Sequence, residues 1–97
     1  MADPSLLVGR RWVVDGMVQG VGFRWYIHGR ALSLGVRGWV RNLEDGAVEV
    51  VALASESTMA EFERIVRRGP PGAQVTGITT NDVPHELVEG KSFTIRH

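Results

Sequence analysis

Two short stretches of the sequence contain residue types that suit the binding of a phosphate group. The first runs Gly16-Met-Val-Gln-Gly-Val-Gly-Phe-Arg24. Two glycines between a strand and a helix allow successive backbone N–H groups to point into a common hollow. The positive end of the following helix would add its own unpaired N–H groups. The stretch therefore predicts an anion site of phosphate size.

Arg24 lies in the first turn of that predicted helix, where a cation opposes the helix dipole. A functional reason for the arginine would explain this unfavourable position. The simpler interpretation is a tight turn at Gly20 and Gly22 followed by a solvated charge, and short glycine motifs alone favour it. The stronger nucleotide motifs are absent, because Trp25 stands where a third glycine is needed and no Gly-Lys-Ser/Thr follows Gly20.

The second stretch runs Gly38-Trp-Val-Arg-Asn-Leu-Glu-Asp-Gly46. Asn42 is expected at the end of a strand close to the first loop. Its amide offers both a donor and an acceptor, which is what orienting a water molecule requires. Taken alone, an asparagine that forms a turn at a strand end is the commoner case.

The elements that would position these residues follow from hydrophobic periodicity and from turn signals. The order β-α-β-β-α-β with a closing strand predicts an α+β, ferredoxin-like sandwich, in which an antiparallel sheet carries both helices on one face. The Asp45-Gly46 turn makes the second and third strands antiparallel neighbours. The predicted strands are 11–17, 36–42, 47–54, 74–83 and 92–96. The first predicted helix is 23–34. The second begins at Ser57 or Thr58, with a possible Thr58–Glu61 capping box, and ends at Gly69.

Composition restricts the function further. The 97 residues suffice for one compact domain, and the lack of cysteine excludes disulfides, zinc–thiolate sites and thiol catalysis. The first nine residues lack the features of a signal peptide, and no stretch is apolar for the roughly 18 residues of a membrane span, so we expect a cytoplasmic protein. The 11 basic and 11 acidic residues balance, so no overall field favours nucleic acid or membrane.

Taken together, Val14-x-Gly-x-Val-Gln-Gly-Val-Gly-Phe-Arg24 and Gly38-Trp-Val-Arg-Asn42, with Gly46-x-Val48 beyond them, resemble the two signature motifs of the acylphosphatase family. The resemblance extends from about Arg10 to the closing Phe93-Thr-Ile-Arg96 and includes Gly-Pro-Pro-Gly at 69–72. It implies an acylphosphatase-like domain over 10–97 with an N-terminal extension over 1–9. One departure is Ala54, where the second motif usually ends in glycine.

The resemblance implies hydrolysis of a small-molecule acyl phosphate to a carboxylate and inorganic phosphate, which would also act as an inhibitor. By motif position, Arg24 and Asn42 are the catalytic residues: Arg24 would hold the phosphoryl oxygens and Asn42 the water. No metal or other cofactor and no histidine base is needed, so His28, His85 and His97 are expected to be dispensable. A monomer is the expected state. The phosphate-binding backbone N–H groups would be those of Gln19, Gly20, Val21, Gly22, Phe23 and Arg24.

Two other functions fit the same order of elements. An RNA-recognition domain shares it, but such domains stack bases on aromatic residues of the third strand, and Ala47-Val-Glu-Val-Val-Ala-Leu53 has none. A non-catalytic regulatory domain that binds phosphate or another anion is the second alternative. Turnover of an acyl phosphate separates it from an enzyme.

Overall fold

The computed structural model describes residues 6–97, and in that part of the chain the elements follow the predicted order. The first half of the chain contributes three strands and one helix, and the second half one helix and two strands. A short 3-10 turn at His85–Leu87 lies between the last two strands. The elements are β1 (Leu7–Met17), α1 (Phe23–Leu34), β2 (Arg37–Asn42), β3 (Val48–Ser55), α2 (Glu56–Arg68), β4 (Gln74–Val83) and β5 (Phe93–Arg96).

The strands form one sheet in the order β4-β1-β3-β2-β5. β1 lies antiparallel to both β3 and β4, and β2 lies antiparallel to β3. This is the predicted ferredoxin-like sheet, to which the closing strand β5 adds a parallel pairing with β2. Because β1 and β2 both run antiparallel to β3, their carboxyl ends meet at the same edge of the sheet. The loop after Met17 and the strand end at Asn42 are therefore brought together.

The main core lies between the sheet and the two helices. The helical spacing in the sequence predicted which side chains face it, and the burial confirms the pattern. Trp12 and Val14 contribute from β1, while Val48 and Val50 contribute from β3. The helical residues of this core are Phe23, Ile27 and Ala31 of α1 and Met59, Phe62 and Val66 of α2.

The other face of the sheet is also partly covered. Trp39, Val51 and Leu53 form a second buried cluster with Val88, which lies in the connection between β4 and β5. Within residues 6–97 every residue of β3 except the last is buried. Sequence periodicity predicted the helix-covered face but gave no sign of this second cover, because the connection 84–92 has no regular pattern.

The starts of β1 and α2 depart from the predictions. β1 begins at Leu7, so residues 7–9 of the predicted extension pair with β3, while residues 1–5 lie outside the described part. α2 begins at Glu56, and Ser55 caps it by accepting a hydrogen bond of 3.4 Å from the Thr58 N–H. The predicted Thr58–Glu61 capping box is therefore wrong. α2 follows β3 with no intervening loop, so the last strand residue itself serves as the cap.

The ends of α1 agree with the prediction. Phe23 is its first residue and Leu34 its last, and the Gly35 N–H caps it by donating to the carbonyls of Ala31 and Leu32.

Neither helix between residues 6 and 97 is long and apolar enough to cross a membrane.

Candidate active site

A small hollow opens at the sheet edge where β1 and β2 end. It has a volume of about 100 Å³. Arg24 and Asn42, predicted from separate stretches of the sequence, both line it. The remaining lining residues are Val18, Gly20, Gly22, Phe23 and Trp25.

The cradle loop, residues 19–24, depends on two glycines. Gly20, Gly22, Phe23 and Arg24 of this loop line the hollow, whereas Gln19 and Val21, also predicted to bind phosphate, do not. Gly20 and Gly22 both have a φ of 77°. This left-handed region costs other residues about 1–2 kcal/mol. A Cβ at either position would meet no described heavy atom within 4 Å, so these two glycines are required by backbone conformation and not by lack of space. Left-handed residues of this kind are what allow successive peptide N–H groups of a loop to face one side.

The N-terminus of α1 also lines the hollow. The first helical hydrogen bond is donated by the Tyr26 N–H to the Gly22 carbonyl at 3.0 Å. Among residues 6–97 no side chain caps this end, and the first turn contains no acidic residue. The N–H groups of the first turn are therefore free donors at the positive end of the helix dipole. Phe23, which is 1% exposed, anchors this end in the core.

Gln19 has a role that the glycine pattern could not reveal. Its side-chain amide donates two hydrogen bonds of 2.8 Å, one to the Leu43 carbonyl and one to the Ala47 carbonyl. Both acceptors lie in the hairpin between β2 and β3, directly after Asn42. The prediction assigned only the Gln19 backbone to the anion. The side chain instead fixes the distance between the cradle loop and the hairpin that carries Asn42.

Arg24 is half-buried, and its partner in the structure is a histidine. Its Nη1 lies 3.3 Å from Nδ1 of His97. Among residues 6–97 the carboxylates that form ion pairs are those of Glu49, Glu63 and Asp82, and their partners are Arg10, Arg11, Arg41 and Arg67. The Arg24 guanidinium therefore has no described carboxylate partner. Nothing in the sequence indicated the contact with His97, because 73 residues separate the two.

Asn42 is the last residue of β2, where its backbone pairs with Val48 of β3. Its side chain is half-buried. The hairpin that follows is held by the Leu43 N–H, which donates to the Ala47 carbonyl at 2.8 Å, and by the Asp45 carboxylate, which accepts from the Ala47 N–H at 3.0 Å. The tight turn signalled by Asp45-Gly46 thus fixes the position of Asn42 at the hollow.

A cluster of charged side chains around Glu49 lies on the other face of the sheet. It includes Arg41, the residue before Asn42 in β2. The Glu49 carboxylate accepts hydrogen bonds of 2.7 Å from the Nε atoms of both Arg11 and Arg41, and one of 3.0 Å from Trp39 Nε1. Burial alone would raise the pKa of Glu49, but the hydrogen bonds from Arg41, Trp39 and Arg11 outweigh it and lower the pKa to about 2. This cluster is charged at neutral pH and internally satisfied, which is typical of a structural role.

Size does not identify the site among the hollows of the described chain. The one lined by Tyr26, Arg30 and Arg68 with residues 69–71 has a volume of about 610 Å³, but Asn42 and the cradle loop do not line it. Within residues 6–97 there is also no group of three or more histidine, aspartate or glutamate side chains arranged to hold a metal ion. The small hollow combines an arginine, free backbone donors and a polar amide, which together suit a phosphoryl group and a water.

Comparisons with known proteins point to one family. The family model described as Acylphosphatase matches residues 10–95. An acylphosphatase of Syntrophotalea carbinolica is 47% identical over 86% of this chain and 89% of its own length. One from Bacillus velezensis is 40% identical over 88% of this chain and 93% of its own. The crystal structure of acylphosphatase from Bacillus subtilis superposes with a TM-score of 0.85 at 36% identity, covering 95% of this chain and all of the other.

Proposed function

The chain belongs to the acylphosphatase family, and from this premise we propose that Arg24 holds the phosphoryl group of the substrate while Asn42 positions the attacking water. The reaction itself follows from the family. The chain is a hydrolase that cleaves the carboxyl–phosphate bond of small-molecule acyl phosphates and releases a carboxylate and inorganic phosphate.

The residues of the hollow suit the demands of this reaction. The water oxygen forms a bond to phosphorus while the bond from phosphorus to the acyl oxygen breaks, and the carboxylate leaves with the electron pair. A carboxylate is a good leaving group, so no general acid is required. The water proton passes to a phosphoryl oxygen, so no side chain has to act as the base. What remains is charge stabilisation and alignment of the water.

Charge stabilisation is assigned to Arg24 and the cradle loop. The guanidinium has no described carboxylate to neutralise it, so its charge and its fork of donors remain for a phosphoryl group. The free N–H groups of the α1 N-terminus and of residues 19–24 supply further donors. These backbone donors are already oriented before substrate binds, because Gly20 and Gly22 fix the loop and Gln19 ties it to the hairpin.

Alignment of the water is assigned to Asn42. The amide lies across the hollow from the cradle loop, on a strand end that the hairpin and Gln19 hold in place. The single observation that carries the proposal is this convergence: an arginine without a described carboxylate partner, backbone donors and a polar amide, from two distant stretches, line one hollow.

The test is turnover of benzoyl phosphate by the purified chain, followed in the ultraviolet, with inorganic phosphate as the inhibitor. We expect turnover above the rate without protein and competitive inhibition by phosphate. Phosphate should also raise the free energy of unfolding, by about 2.7 kcal/mol at roughly 100 times its Kd. Phosphate binding without turnover would instead support the non-catalytic anion-binding domain.

The proposal also covers the oligomeric state, the location in the cell, the cofactor requirement and the binding partners. We propose that the chain works as a monomer in the cytoplasm, without a metal or other cofactor, and that it does not bind nucleic acid. The burial of β3, the strand on which an RNA-recognition domain would stack bases, supports the last point. For the division of the chain, we propose a domain that includes residues 7–9 together with the predicted 10–97, because residues 7–9 pair with β3.

A further inference from the structure

One of the three tryptophans stands apart from the other two. Trp12 and Trp39 are 0% and 7% exposed, whereas Trp25 is 69% exposed. A tryptophan side chain can bury 150–250 Å², so leaving it in water forgoes a large hydrophobic gain. Trp25 lies beside Arg24 in the first turn of α1 and lines the same hollow as Asn42. Its exposed surface is therefore at the rim of the active site.

The hollow is too small to enclose a whole substrate. Its volume of about 100 Å³ is below the roughly 300–1,000 Å³ of sites that bury a complete ligand. With the phosphoryl group in the cradle loop, the acyl group must extend past the rim. Trp25 is the large apolar side chain among the residues that line the hollow and remain exposed.

The Trp25 ring packs against one neighbouring ring of the same helix. It makes an edge contact with His28, with ring centroids 6.0 Å apart and an angle of 85° between the planes. His28 in turn contacts Phe93, a core residue, at 6.4 Å. Because these contacts restrict the indole, less side-chain freedom is lost when a ligand packs against it.

We propose that Trp25 is the specificity-determining residue for the acyl group and favours acyl phosphates with a planar, apolar acyl group over those with a small aliphatic one. The inference rests on the proposed binding of the phosphoryl group by Arg24 and the cradle loop, which brings the acyl group to the rim. An aromatic acyl group gains contact with the indole that an acetyl group is too small to make.

The test compares kcat/KM for benzoyl phosphate and for acetyl phosphate in four proteins: wild type, Trp25→Ala, Trp25→Phe and Leu32→Ala. Leu32 is the matched control, since it is an exposed apolar residue of the same helix, 52% exposed, that does not line the hollow. The ratio of the two kcat/KM values should fall about three- to tenfold in Trp25→Ala. It should stay near wild type in Leu32→Ala, and Trp25→Phe should recover most of the loss.

The inference is overturned if the ratio changes less than about twofold in Trp25→Ala, or if Leu32→Ala lowers it as much. It is also overturned if Trp25→Phe is as impaired as Trp25→Ala, because the ring contact would then not be the cause. The phosphate inhibition constant is measured in parallel and should remain near wild type in Trp25→Ala. A failure of the proposed phosphoryl site has a separate sign, namely that Arg24→Ala binds phosphate as wild type does.

Discussion

Two regions of the molecule place arginines near the same strand end and use them in opposite ways. On one face of the sheet, Arg11 and Arg41 share the Glu49 carboxylate at 2.7 Å each, and the cluster is closed. At the sheet edge, Arg24 has no described carboxylate partner, and it lines an open hollow beside free backbone donors. The first region satisfies its charges internally and contributes stability. The second leaves its positive charge available to an anionic ligand.

The lack of a carboxylate partner does not by itself make an arginine functional. Among residues 6–97, Arg30, Arg64 and Arg68 also lie outside the ion pairs found. What distinguishes Arg24 is its place at a helix N-terminus, where a cation is disfavoured unless an anion joins it. The comparison predicts that replacing Arg24 or Asn42 lowers activity with little effect on stability. Changes in the Glu49 cluster should lower stability with little effect on phosphate binding.

The largest effect is expected from Arg24→Ala. Arg24 contacts the phosphoryl group in both the ground state and the transition state, so phosphate binding should weaken and kcat should fall about 10³-fold or more. The measurements are phosphate inhibition, kcat on benzoyl phosphate and thermal unfolding. Arg11→Ala is the matched control, which should lose stability and keep phosphate binding. The comparison fails if the two variants lose phosphate binding to the same extent.

Glu49→Gln should show the opposite pattern, a loss of stability with phosphate binding retained. The lowered pKa of Glu49, from 4.5 to about 2, corresponds to about 3 kcal/mol of stability. Because the pKa is lowered in the folded state, this stability is present above about pH 5 and is lost as the pH falls toward about 2. Urea unfolding of both proteins should show a difference at neutral pH that shrinks on acidification. A difference independent of pH would contradict this account.

Asn42→Ala should reduce catalysis without reducing phosphate binding. The amide contacts the water and not the phosphoryl group, so the phosphate inhibition constant should stay close to wild type while kcat falls at least about 10²-fold. Steady-state kinetics on benzoyl phosphate and phosphate inhibition give both quantities. A parallel loss of binding and turnover, or a near-normal kcat, would show that Asn42 does not position the water.

Gly22→Ala tests the backbone of the cradle loop. Alanine at a φ of 77° should cost about 1–2 kcal/mol and should weaken the stabilisation of the fold by phosphate. Gly29→Ala is the control, because Gly29 lies inside α1 without a left-handed φ and has open space for a Cβ. That variant should gain up to about 1 kcal/mol and respond to phosphate as wild type does. Equal phosphate responses in both variants would place phosphate elsewhere.

The smallest effect is expected from removing metal ions. The proposed roles of Arg24, Asn42 and the backbone donors require no metal, so protein treated with a chelator should retain its rate on benzoyl phosphate. The measurement is kcat before and after chelation and after adding magnesium or zinc. Activity that vanishes with the chelator and returns with either ion would show that the reaction needs a bound metal ion, contrary to the proposal.

Local sequence signals predicted the part of the fold that depends on interactions between neighbouring residues. The bounds of α1 were predicted correctly because Gly22 and Gly35 mark both ends and the apolar spacing is regular. The start of α2 was predicted one or two residues late, since a cap at the end of a strand has no loop signal before it. In β3, Val48 and Val50 face the helices and Glu49 lies on the other face, as the alternation of side chains along a strand requires. The burial of Glu49 depends on Arg11 and on the connection after β4, which are distant in sequence.

The candidate site was predictable as a set of residues and less so as a geometry. Arg24 and Asn42 were found from motifs, and their meeting at one edge followed from the parallel direction of β1 and β2. The Gln19 side chain was assigned no role, because a glycine-rich loop does not reveal where its polar side chain points. The contact of Arg24 with His97 and the exposure of Trp25 likewise depend on tertiary structure.

The position of β1 in the sheet has a consequence for how the chain folds. β1 pairs with β3 and with β4, so that Gly9 lies opposite both Leu53 and Val83. Closing such long loops loses chain entropy before the contacts form, which slows folding relative to a helical bundle of similar length. The hairpin of β2 and β3 is the local pairing of the sheet, and Gln19 attaches the cradle loop to that hairpin. The β2–β3 hairpin that carries Asn42 can therefore organise early, while the slow search concerns the pairing of β1 with β3 and with β4.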